Sequence, residues 1–244
     1  MRFTGLGLVT TMLGLALTSG AVADVQVTQT ARVVAPAVYR SGPLPALPVM
    51  ALGGGEVVVE VTVSARGAVV AVRPLRVTVP YTESVVAAVK TWQFTPAEEL
   101  LDPLTRAPGE PPTRTIESKV TVAALFRPPN VYDNATLGEP FRDIDAPSGE
   151  APFPISSVTP PFAPSARDGG VVLVEARVDE SGEVEATAVK QSSPPFDEAS
   201  LAAAQQWRFR PARVAGAPAA ARVYLMFGFR VPDATRAFPS PPPR

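Results

Sequence analysis

The sequence predicts an α+β fold of two tandem ββαβ domains, each a three-stranded antiparallel sheet with one helix packed on it. Three observations carry this. Residues 54–97 and 169–212 align without a gap at a constant offset of 115, with about 17 of 44 positions identical, and self-similarity of this kind sets the architecture before any other signal. Each copy opens on a Gly-Gly pair and a run with alternating valines, the period-2 pattern of a strand with one buried face. Each copy closes on W-x-F-x-P-A, with Trp92 matching Trp207, Phe94 matching Phe209 and Pro96 matching Pro211.

The elements follow in order. Val57, Val59, Val61 and Val63 alternate with Val58, Glu60 and Thr62 and make a first strand. Ser64–Gly67 reads as a hairpin turn, with Gly67 supplying the positive φ such turns need. Val69–Val79 returns as a second strand. Thr82 is placed to cap a helix of about three turns, Glu83 puts a negative charge at its positive end, and Tyr81 and Val86 hold the staple positions. Asp197, Glu198, Phe196 and Leu201 repeat that arrangement. Glu98–Arg114 reads as an exposed loop. A third strand closes each copy, with Val120, Val122 and Ala124 on one face of the first and Val223, Leu225, Phe227 and Phe229 on one face of the second.

The remaining segments set the boundaries. Met1-Arg2, an apolar run from Phe3 to Leu17 and Ala21-Val22-Ala23 have the order of a secretory signal peptide cleaved after Ala23. That run is about 15 residues, short of the ~20 that span a bilayer. Residues 24–52 form a proline-containing lead-in in which 33–39 favours a short strand. Residues 53–128 make the first, divergent domain, 129–163 a proline-rich linker, 164–232 the second domain, and 233–244 a proline-rich tail of disordered composition. The chain has 29 prolines in 244 residues, about 12% against a typical ~5%.

Composition removes whole classes of function. There is no Cys and no His, which excludes thiol nucleophiles, Ser-His-Asp triads, and thiolate or imidazole metal sites. A formal net charge of −1 gives no electrostatic case for nucleic acid. Asp179, Glu180, Glu183 and Glu185 lack the spacing of a calcium loop and read as a solvated turn. Gly53–Gly55 precedes a strand and not a helix, the wrong order for a phosphate cradle. The two copies share no acid–base pair, nucleophile or metal constellation. The expectation is a protein that is not an enzyme and has no cofactor, metal or small-molecule substrate. Trp92, Phe94, Trp207 and Phe209 read as core filling the helix–sheet seam.

The second copy, with Gly169-Gly170, the turn Asp179-Glu180-Ser181-Gly182, the helix start Phe196-Asp197-Glu198-Ala199 and Trp207-Arg208-Phe209-Arg210-Pro211-Ala212, resembles the C-terminal domain of the TonB family. Residues 170–212 carry the likeness, and the strand to Val231 completes it. Pro160–Pro164 is similar to the proline-aromatic lead-in common there. In the first copy Thr82 stands where that pattern has Asp, and Arg73-Pro74 interrupts the second strand.

The resemblance implies a periplasmic domain in a Gram-negative bacterium that accepts an extended peptide from an outer-membrane transporter as an added strand. Such capture suits a bare sheet edge. The candidate capture strand is Arg222, Val223, Tyr224, Leu225, Met226, Phe227, Gly228, Phe229 and Arg230, with 119–126 as the matching edge. The reading is a periplasmic or exported non-catalytic protein that binds a peptide or another envelope protein, with a homodimer also compatible. Two alternatives stay open: an inner-membrane-anchored energy transducer, and a structural envelope protein whose edges are covered. Against the transducer, about 30 residues separate Asp24 from the first domain, a reach of about 90 Å even in extended form. The intact mass of the protein from its own host is expected to match a chain that starts at Asp24.

Overall fold

The computed structural model describes residues 32–48, 51, 53–128 and 151–231. The signal-peptide segment, most of the linker and the tail lie outside them. Among these residues the fold is α+β, mostly strand with two helices. The first half runs β1 (Arg32–Ala35), β2 (Val38–Ser41), β3 (Gly55–Val63), β4 (Val69–Arg76), α1 (Tyr81–Val89), β5 (Gln93–Thr95), β6 (Ala97–Leu100), β7 (Thr113–Ile116) and β8 (Ser118–Phe126). The second half runs β9 (Phe153–Ser156), β10 (Gly170–Val178), β11 (Val184–Gln191), α2 (Asp197–Ala204), β12 (Arg208–Arg210), β13 (Ala212–Val214), β14 (Ala217–Ala219) and β15 (Ala221–Phe229).

The two halves agree in detail. Gly67 (φ +84) and Gly182 (φ +89) close the equivalent hairpins, and each accepts a backbone hydrogen bond, from Phe94 and Phe209 respectively, at 2.8 Å. The Trp92 indole donates to Pro43 O at 2.8 Å and the Trp207 indole to Val158 O at 3.1 Å, again 115 residues apart. Tyr81 stacks on Phe126 at 4.3 Å, and Phe196 stacks on Phe229 at 4.0 Å.

Three local expectations need correcting. Thr82 and Asp197 do not cap the helix amides. Thr82 is the second residue of α1 and Asp197 the first of α2, and each reaches back, accepting from the backbone N–H of Thr78 and of Ser193 at 2.8 Å. These side chains latch the turn that enters the helix. Glu98–Arg114 is not all loop, because β6 and β7 pair across it; Glu99 is buried there against Arg114. The segment 151–163, read as linker, is folded in: β9 pairs β12 as β2 pairs β5, and Phe153, Val158 and Phe162 are buried.

The larger departure is that there are not two separate sheets. One six-stranded sheet has the order β11-β10-β15-β8-β3-β4. Every neighbouring pair is antiparallel except β15–β8, which is parallel. Two equivalent strands can lie side by side and parallel if the halves are related by rotation about an axis along the strands. That rotation turns one half face-down. Helix α1 therefore packs on one face with Val57, Val59 and Val61, while α2 packs on the opposite face with Val172, Val174 and Ala176. The register agrees: Phe126 and Phe229 are equivalent by their pairing with Gly55 and Gly170, yet β15 sits against β8 one residue out of that equivalence, with Val223 beside Thr121. Equivalent residues face opposite sides, so a direct match is impossible in a pleated sheet.

Each half then covers the other's helix-free face. Leu173, Tyr224 and Met226 of the second half lie in the core built around Trp92 and α1. Val58, Ala123 and Leu125 of the first half lie in the core built around Trp207 and α2. The lead-ins complete the exchange. Gln191 at the end of β11 donates to Gly42 O at 2.7 Å, and Ser157, the counterpart of Gly42, donates to Glu56, which also holds Arg76 at the end of β4.

A Cβ at Gly182 would stand 1.8 Å from Phe209 O, at a φ that side chains avoid, whereas one at Gly53 meets open space. Gly182→Ala is expected to cost more than ~1 kcal/mol in urea unfolding, and Gly53→Ala close to nothing.

Candidate functional site

The strand expected to capture a peptide, Arg222–Arg230, is not a sheet edge. Over Ala221–Phe229 it pairs with β10 on one side, and over Val223–Gly228 with β8 on the other. The matching edge of the first half is equally taken, by β3 and β15. Burial accounts for this. Val223, Tyr224, Leu225, Met226, Phe227 and Phe229 are all inaccessible, although they point alternately to both faces. Gly228 is required by contact: a Cβ there would stand 2.3 Å from the Phe126 ring.

These strands do not open on thermal energy. Burying an aliphatic side chain contributes roughly 1.5–3 kcal/mol. Val58, Leu125, Leu173 and Met226 alone then represent about 6–12 kcal/mol, comparable with the ~5–15 kcal/mol of a whole folded protein.

A polar network sits where the halves meet. The Glu175 carboxylate is buried beside Arg222, with Lys190 at 3.6 Å, and accepts from the Tyr224 hydroxyl at 3.2 Å. That hydroxyl in turn accepts from the backbone N–H of Tyr39 at 2.7 Å, and Tyr39 packs edge-on against Trp92 at 4.8 Å. Burial, with the Glu175 charge adding to it, pushes the Tyr224 hydroxyl well above the ordinary tyrosine range. Burial also raises Tyr39. In the first half Leu75 replaces Lys190 and Thr121 replaces Tyr224, and the buried Oε2 of Glu60, the counterpart of Glu175, has no hydrogen-bond partner among the described residues.

The other sequence candidates fall as follows. Trp92, Phe94, Trp207 and Phe209 are buried in the two cores. Asp179 accepts from the Ser181 backbone and hydroxyl and from Glu183 N, which holds its carboxyl below the usual range, the Ser181 hydroxyl contributing most. Among the described residues, no helix is long and apolar enough to cross a membrane.

What the sequence reading missed is that the sheet's true ends are β4 and β11. Among the described residues, neither has a further strand beyond it in the sheet order, and β5 and β12 touch these ends only through single bridges just before the strands begin, Gln93 to Ala68 and Arg208 to Glu183. The available signal was the uninterrupted apolar runs Val122–Phe126 and Val223–Phe227, which mark strands buried on both faces and hence internal.

Tyr224→Phe leaves the Tyr39 N–H buried without its acceptor and is expected to cost about 1–3 kcal/mol in denaturant unfolding. The raised Tyr224 pKa sets the sign of its alkaline behaviour. Its contribution is complete below the unfolded value near ~10 and is lost as pH climbs past it. Absorbance titration is expected to show one tyrosine that ionises only together with unfolding.

No curated protein matches the chain. Residues 160–231, which begin in the Pro160–Pro164 lead-in and include β10 to β15, match the family model described as Gram-negative bacterial TonB protein C-terminal, so the second half carries a TonB-like domain.

Proposed function

We propose that this is a non-catalytic, exported TonB-like envelope protein that binds an extended segment of a peptide or partner protein by strand addition on an outer edge of its six-stranded sheet. The observation that carries it is the strand order: both third strands are consumed by each other, and β4 and β11 are left as the two ends. The family match on 160–231 supports an envelope role and, by analogy, a segment of an outer-membrane transporter as partner. The equivalent turns, indole bonds and ring stacks support reading the first half as a divergent second copy of the same domain. The lack of His and Cys supports a role without catalysis.

Backbone bonds of about 1 kcal/mol each make a short added strand a weak, reversible ligand. A structural role is the second reading, and the mutual capping of β8 and β15 favours it. Titration of the folded mature chain with peptides from the periplasmic N-termini of outer-membrane transporters separates the two. Saturable binding at or below the millimolar range is expected, with slowed amide exchange on an outer strand. No binding by a folded chain would leave the structural reading.

A further inference from the structure

The two outer edges are not equivalent. Between its bulges, β11 pairs in regular register through Ala186, Thr187, Ala188 and Val189. The same stretch of β4 is Ala71, Val72, Arg73 and Pro74. Pro74 lacks a backbone N–H, and Arg73 is an exposed charge, the two residue types with which sheet edges are blunted. The β11 window has neither. Its side chains are small or β-branched and uncharged, and Ala186 and Ala188 are exposed. Charges flank it at both ends. Glu185, with a side chain 42% exposed, is held by Arg177 at 2.6 Å, and Lys190, 28% exposed, lies 3.6 Å from Glu175.

We propose that Ala186–Val189 of β11 is the capture edge, and that its ligand is an extended segment with β-branched residues at its centre, a basic residue opposite Glu185 and an acidic residue opposite Lys190. This rests on the outer-edge reading above. Small side chains on β11 leave room for larger ones on the added strand. Opposite charges directly across a ladder favour pairing, and like charges oppose it.

The test is amide-shift mapping on the full mature chain with Glu-Val-Thr-Ile-Val-Lys and Lys-Val-Thr-Ile-Val-Glu, both end-blocked, which pair their charges in opposite strand directions. Versions with Lys or Glu at both ends serve as comparison. Shifts are expected on 184–191, and the better mixed-charge order is expected to bind about 2–5-fold tighter than either like-charged peptide. Ala188→Lys, at an exposed site, is expected to weaken binding, and Ala71→Lys on β4 to leave it unchanged. Shifts confined to 69–76 would overturn the β11 assignment and keep the outer-edge reading. No shift anywhere at millimolar peptide would overturn both. Equal binding of like- and mixed-charge peptides would overturn the stated ligand chemistry. A dimer of the chain alone with 184–191 protected would give this edge to a second copy.

Discussion

The parallel pairing of β15 with β8 is the constraint on which the rest of the structure depends. Joining two equivalent strands side by side in the same direction turns one half over. That places α1 and α2 on opposite faces and leaves each half with an apolar, helix-free face to cover. The covering is reciprocal. Tyr39, Trp92 and Phe94 surround the Tyr224 ring from the first half, and Thr121 donates to Pro152 O of the second. A strand paired on both sides cannot also be a docking edge, so the geometry that stabilises the molecule also decides where a ligand can go.

The elements were legible because each rests on local chemistry. Val69, Gly67 and Trp92 announce a hairpin and a helix–sheet seam wherever they occur at that spacing, and the second copy repeats them. The assembly was not legible, because period-2 alternation says which residues share a face and not whether the second face is wet. Val58 falls on the outward side of the alternation with Val57 and Val59, yet it is fully buried in the other half's core, as Leu173 is in the first half's. The lead-in strand β9 was hidden for a different reason. Phe153-Pro154 reads as extended linker by composition, and only its partner β12 makes it a strand.

The site was misplaced by the same error. Arg222–Arg230 has the apolar alternation of a strand, and the resemblance supplied an edge for it. Tyr224 carried the contrary signal, a large polar side chain at a position pointing away from the strand's own helix. In the folded chain its hydroxyl links Glu175 to the Tyr39 backbone across the junction of the halves. Buried polar groups need such partners, so the residue marks an internal seam. With that seam closed, β4 and β11 hold the remaining backbone edges of the central sheet, and Pro74 distinguishes one from the other.

The shared sheet is tested most directly by interstrand nuclear Overhauser contacts in the full chain. The account predicts contacts in parallel register between Val122–Phe126 and Val223–Phe227, with the amides of both stretches among the slowest to exchange. Two halves that tumble with fast-exchanging amides on 222–230 and no contacts to 120–126 would contradict it.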